Sequence, residues 1–174
     1  APAVASPAVM TELFPVSKLE ALDLPDGDLR MASAPDLGGA PDYWFERLEG
    51  ELDWREETIR LFGKTFLQPR LLAWYGDPGA RYRYSGRMHE PLAWTPSLAA
   101  LRSRVEELTG ARFNSVLANL YRNEQDSMGL HTDDEPELGE QPVIAPLSLG
   151  QERVFRLKHR RRQDLNPVRL GLSS

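Results

Sequence analysis

The stretch NLYRNEQDSMGLHTDDEPELG, residues 119–139, sets four acids, Asp133, Asp134, Glu135 and Glu137, directly behind His131, one of three histidines in the chain. Residues 124–140 carry seven Asp or Glu and no Lys or Arg. Such a run is either a solvated acidic loop or a metal-binding one. The chain has no cysteine, so disulfides and thiolate ligands are excluded and a metal would take His, Asp or Glu. One residue separates His131 from Asp133. On an extended segment both side chains leave the same face, which puts an imidazole beside a carboxylate, as two ligands of one ion require. A non-haem Fe(II) site of the facial-triad type uses two His and one carboxylate and keeps the remaining positions open. H-x-D alone recurs by chance. The surrounding residues must decide.

Just upstream, FNSVLANLY alternates so that Asn119 and Tyr121 share a face with Phe113, Ser115 and Leu117. An amide and a phenol among apolar neighbours are costly unless hydrogen-bonded. They are either a satisfied polar pair at a strand edge or donors aimed at a small anionic ligand. ARYRYSG also alternates, with Tyr82 and Tyr84 on one face and Arg81 and Arg83 on the other. That face is an ordinary aromatic strand face or a stacking wall.

These residues need elements to position them. Pro41, with Phe45, Leu48 and Leu52 at helical spacing, predicts a helix over about 41–53. TIRLFGKTFL predicts a β-hairpin around Gly63-Lys64, with Phe62 at its tip. Thr95, Pro96, the stripe Leu98, Leu101, Val105 and Leu108, and Gly110 predict a second, capped helix. Beyond it, FNSVLANLY, VIAPLSLG, RVFRL and NPVRLGL read as short β-type segments between turns. Helices first and short strands later predict an α+β domain whose second half is a sandwich or barrel. Residues 1–40, rich in Ala, Pro and Gly, read as a loosely structured lead-in to a domain over 41–174.

At 174 residues the chain fits one domain with a core of its own. No apolar run approaches the roughly 20 residues that span a bilayer, and no basic n-region marks APAVASPAVM as a secretory signal. We read that start as flexible or processed. The net charge of −5 disfavours a uniformly polyanion-binding surface. Arg153 to Arg169, however, holds seven Lys or Arg and one acid, just downstream of the acidic block. Such segregation either steers a polyanion to one face or reflects two independently solvated surfaces.

PRLLAWYGD, FNSVLANLYRNEQDSMGLHTDDEPELG and PVIAPLSLGQERVFRL closely resemble the AlkB family of Fe(II)- and 2-oxoglutarate-dependent dioxygenases, most of all its DNA- and RNA-repair homologues. The resemblance runs from about Ile59 to Leu172. It implies a double-stranded β-helix (jelly-roll) core with the N-terminal helices packed on it. The implied activity is oxidative removal of N-methyl lesions such as 1-methyladenine and 3-methylcytosine with Fe(II), 2-oxoglutarate and O2, releasing formaldehyde and succinate. By resemblance, His131 and Asp133 are iron ligands, and Asn119 and Tyr121 hold 2-oxoglutarate. Asp134 and Glu135 accept hydrogen bonds from the exocyclic amine of the lesion. Tyr82, Tyr84 and Ser85 wall the pocket for the flipped base, Phe62 wedges into the duplex gap, and Arg70 lies near the flipped nucleotide. Glu137 is left as a solvated acid. Base flipping and aromatic stacking agree with these roles, because a base must leave the stack before its methyl group is reachable. The expected partners are DNA or RNA carrying methylated bases and no membrane. A monomer is expected, cytoplasmic if bacterial and nuclear if eukaryotic.

The resemblance also implies a second iron-binding histidine and two arginines for the cosubstrate on later strands, whereas the match stops at NPVRLGLSS. His89 lies before the core, and His159 lies in RLKHRRR, an expected exposed turn. We expect a chain cut short before the last core strands rather than a remnant with an incomplete site. Two functions follow, an oxidative nucleic-acid demethylase or a catalytically silent nucleic-acid-binding module. The same chemistry on a protein or small molecule is a third, opposed by the paired tyrosines, the hairpin Phe62 and the basic stretch 153–162.

Overall fold

Apolar residues at helical spacing form two helices, α1 over Pro41–Glu51 and α2 over Pro96–Thr109. The computed structural model describes residues 18–61, 63–84, 87–133 and 136–172. The Thr95 side chain accepts a hydrogen bond from Leu98 N at 3.2 Å, which satisfies one of the free amides of the first turn of α2. Gly110 closes the helix at φ +71°, where an L side chain costs about 1–2 kcal/mol.

The strands are β1 (Glu20–Leu22), β2 (Leu29–Met31), β3 (Arg55–Leu61), β4 (Lys64–Gly76), β5 (Tyr82–Tyr84), β6 (Arg87–His89), β7 (Ser115–Leu120), β8 (Arg153–Leu157) and β9 (Val168–Leu172). All ladders between them are antiparallel. Among the described residues they make a central sheet in the order β3-β4-β7 and three two-stranded sheets, β1-β2, β5-β6 and β8-β9. The expected hairpin is β3-β4, closed at Leu61↔Lys64 with Gly63 at φ +77°.

The β4-β7 register divides the work of the sheet. Directly opposed residues of an antiparallel pair share a face. Ala73↔Ala118 and Tyr75↔Val116 therefore point one way. That face meets the helices: Leu52 at the end of α1, Ala73, Tyr75 and Leu98 of α2 form one buried cluster. Tyr75 also accepts a hydrogen bond from Asp53 N through its hydroxyl at 2.9 Å. A second cluster joins Leu37, Trp44 of α1 and Leu101 of α2. Leu72↔Asn119 and Trp74↔Leu117 point the other way. Asn119 thus projects from the face that the helices do not cover.

Two expectations need correction. VIAPLSLG forms no ladder among the described residues, and Val143, Ile144 and Leu147 stay exposed. A strand without a neighbour to bond is marginal in water, and Pro146 offers no N–H to a ladder. The described part of the lead-in is more ordered than its composition implied. It carries the β1-β2 hairpin and places Leu37 in the second core cluster.

Candidate active site

β4 and β7 bring the first site residues together. Arg70 lies two positions before Leu72, on the face of Asn119. Its Nε donates to Asn119 Oδ1 at 2.9 Å. Arg70 is only 7% exposed. The residue expected near a flipped nucleotide is thus bonded to the strand of Asn119. Just past the end of β7, the ring of Tyr121 lies under the Arg153 guanidinium of β8, 4.4 Å from its centroid.

The chain between Tyr121 and His131 is a loop held by its own polar groups. The Asn123 side chain accepts from Gln125 N at 2.9 Å, which turns the backbone. The Asp126 carboxylate is 5% exposed and receives Arg122 N at 2.9 Å, Arg122 Nε at 2.8 Å and the terminal guanidinium nitrogen at 3.1 Å. Arg122 also reaches Glu56 of β3 at 3.3 Å. Arg153 donates to the carbonyls of Asn123 and Asp126. Ser127 N donates to Pro69 O at 2.8 Å and fastens the loop to β4 beside Arg70. In the sequence Asp126 is one of the seven acids of residues 124–140. Its clamp is visible there only as an Arg four residues before an Asp.

That clamp sets a pH dependence. The Arg122 hydrogen bond holds the Asp126 carboxyl below the usual aspartate range, while partial burial opposes the shift. A carboxyl lowered by folding contributes stability that is complete above the ordinary unfolded value and is lost as pH falls through the folded one. The loop should therefore stay ordered through the ordinary carboxylate range and loosen only in more acidic solution. Amide exchange at Asp126 and Ser127, whose N–H groups are bonded to Asn123 O and Pro69 O, checks this. Asp126→Asn should make those amides exchange faster at neutral pH and flatten the acid response.

The loop delivers His131 and Asp133 as neighbours, with Nε2 3.3 Å from Asp133 Oδ1 and both side chains 44% exposed. The two residues lie outside any strand, yet the side chains still meet. His131 Nδ1 is 2.9 Å from Gly129 O, a carbonyl that only accepts, so Nδ1 carries a proton. In the neutral ring, the Nε2 lone pair then faces a carboxylate oxygen. Both electron pairs can be offered to one cation. An imidazole nitrogen and a carboxylate oxygen 3.3 Å apart would both reach one ion. A backbone carbonyl fixing the far ring nitrogen is the usual support of a metal-bound histidine. These donors fit an Fe(II) ion.

The other two histidines stand elsewhere. His89 pairs with Tyr82 across β5-β6. His159 Nε2 lies 3.1 Å from Asp26 Oδ2, and its Nδ1 accepts from Arg161 N and Arg162 N. It is less exposed than its turn-like sequence implied. Among the described residues, no group of three or more His, Cys, Asp or Glu is arranged to hold a metal. Phe62, Ser85, Asp134 and Glu135 lie outside the described residues, as do the side chains of Tyr82, Tyr84 and Glu137.

The model of the 2OG-Fe(II) oxygenase superfamily matches residues 40–174. The chain belongs to that superfamily. Membership implies a jelly-roll fold, with which the antiparallel sheets agree. The chain is 45% identical over 138 residues to the alpha-ketoglutarate-dependent dioxygenase alkB homolog 3 of Bos taurus, covering 77% of this chain and 47% of that protein. To the Homo sapiens homolog 3 it is 47% identical over 118 residues, covering 67% and 41%. To the DNA oxidative demethylase ALKBH2 of Mus musculus it is 39% identical over 141 residues, covering 76% and 59%. The chain spans under half the length of the two homolog 3 proteins.

Proposed function

We propose that the protein carrying this chain is an oxidative demethylase of N-alkylated bases in DNA or RNA, dependent on Fe(II), 2-oxoglutarate and O2. The observation that carries this reading is the His131–Asp133 pair, with the histidine tautomer fixed by Gly129 O, in a chain of the 2OG-Fe(II) oxygenase superfamily. The names of the relatives support it, since one is a DNA oxidative demethylase and the others are alpha-ketoglutarate-dependent dioxygenases.

In this reading His131 and Asp133 hold the iron, which, with 2-oxoglutarate and O2, supplies the oxidation of the N-methyl group. Asn119 and Tyr121 bind and orient the cosubstrate on the sheet face away from the helices. Tyr82, Tyr84 and Ser85 wall the pocket, where aromatic stacking at about 1–3 kcal/mol per base offsets the loss of the duplex stack. Asp134 and Glu135 accept from the exocyclic amine and favour a cationic methylated base over a neutral one. Phe62 fills the space the base leaves. The jelly roll carries α1 and α2 on its outside.

Formaldehyde and succinate release across a panel of methylated oligonucleotides tests the reading. Turnover of 1-methyladenine or 3-methylcytosine is expected, and none on any methylated strand would favour the silent binding module. Phe62→Ala should reduce turnover of duplexes more than of single strands, because only a duplex leaves a gap to fill.

A further inference from the structure

Arg70 is a charged residue inside the protein, and its hydrogen bond goes to a side chain on the site face. A guanidinium has five N–H donors and no acceptor. At 2.9 Å from Arg70 Nε, the Asn119 amide can present only its oxygen, because the alternative would set two donors against each other. The amide orientation is therefore fixed by chemistry. With Oδ1 turned to Arg70, Nδ2 and its two N–H groups are left for whatever lies across the face. An amide held this way donates to anions.

We infer that Arg70 is a positioning residue that sets the Asn119 amide as a hydrogen-bond donor toward a ligand carboxylate. This rests on the reading that Asn119 meets 2-oxoglutarate. The guanidinium adds a second effect, since a positive charge one side chain behind the amide polarises it and draws an anion to its far side. Three further contacts keep the arrangement stiff. Leu72↔Asn119 fixes the register, Ser127 N on Pro69 O ties the loop beside Arg70, and Arg153 covers Tyr121 from β8. Asn119 and Tyr121 are thus each backed by an arginine, Arg70 of β4 and Arg153 of β8. Arg70 acts on specificity for an acidic cosubstrate, and the nucleotide is not its partner.

The test uses the full-length protein that contains this chain, with Mn(II) as a redox-silent metal. Calorimetry gives the 2-oxoglutarate Kd, and KM values are measured separately for 2-oxoglutarate and for a methylated oligonucleotide with Fe(II). Arg70→Met should weaken 2-oxoglutarate binding about 5- to 10-fold, the range of one ordinary net hydrogen bond, with the oligonucleotide KM within about twofold. Asn119→Ala should lose about 10-fold, and adding Arg70→Met to it should cost less than about twofold more, because the arginine then has nothing to position. Arg70→Lys keeps one donor and should recover part of the affinity. It also decides the matter if Arg70→Met fails to fold, since a loss as large as that of Asn119→Ala would overturn the inference.

A rise in the oligonucleotide KM with 2-oxoglutarate binding unchanged would return Arg70 to the nucleotide. Additive losses in the double variant would make it a general structural residue. Unchanged 2-oxoglutarate binding in Asn119→Ala would overturn this inference while leaving the dioxygenase reading intact. A folded wild-type protein that binds no 2-oxoglutarate would overturn both.

Discussion

Replacing either His131 or Asp133 with Ala is expected to abolish formaldehyde release and to weaken Fe(II) or Mn(II) binding by more than the about 10- to 100-fold that outer-shell changes typically cost. In the proposed reading both would hold one ion, so removing either leaves the other, 3.3 Å away, as its sole described partner. Both side chains are 44% exposed, so neither substitution should shift the denaturation midpoint appreciably. Calorimetric metal titration beside a urea melt separates the two outcomes. A variant that keeps both metal affinity and turnover would remove the metal role from that residue.

The opposite pattern is expected for Leu98→Ala. Leu98 is buried in the cluster that joins α2 to Ala73 and Tyr75 of β4 and to Leu52 at the end of α1. Removing a buried leucine side chain costs about 2–5 kcal/mol through lost transfer energy and the cavity left behind. Against a total stability of about 5–15 kcal/mol, that is a large fraction. Urea denaturation should show a lower midpoint with an unchanged slope, as for a change in stability alone. Metal and cosubstrate affinity of the remaining folded protein should stay near wild type. A midpoint shift equivalent to less than about 1 kcal/mol would mean that the site repacks around the loss.

Local signals were the legible part. Thr95, Pro96 and Gly110 bracket α2 because caps and breakers act within a few residues, and Gly63 marks the β3-β4 turn for the same reason. H-x-D brought His131 and Asp133 together even without a ladder around them. What was not legible depends on distant partners. Arg70 and Asn119 are 49 residues apart, and no spacing rule relates them. Asp126 looked like any acid of a solvated run until Arg122 and the Arg153 contacts enclosed it. VIAPLSLG has strand composition, but a strand is a property of a pair.

The β4-β7 pairing has a consequence for how the protein tolerates change. Residues alternate between the helix-covered face and the Asn119 face with a period of two. A slip of one residue would trade Ala73 and Tyr75 for Leu72 and Trp74 under the helices, and would turn Asn119 away from Arg70 in the same movement. One setting of the strands encodes both hydrophobic cohesion and chemical address. Insertions or deletions inside β4 or β7 therefore cannot be absorbed by sacrificing one to keep the other, whereas the β5-β6 and β8-β9 hairpins, which among the described residues share no ladder with this sheet, can vary in length without resetting it.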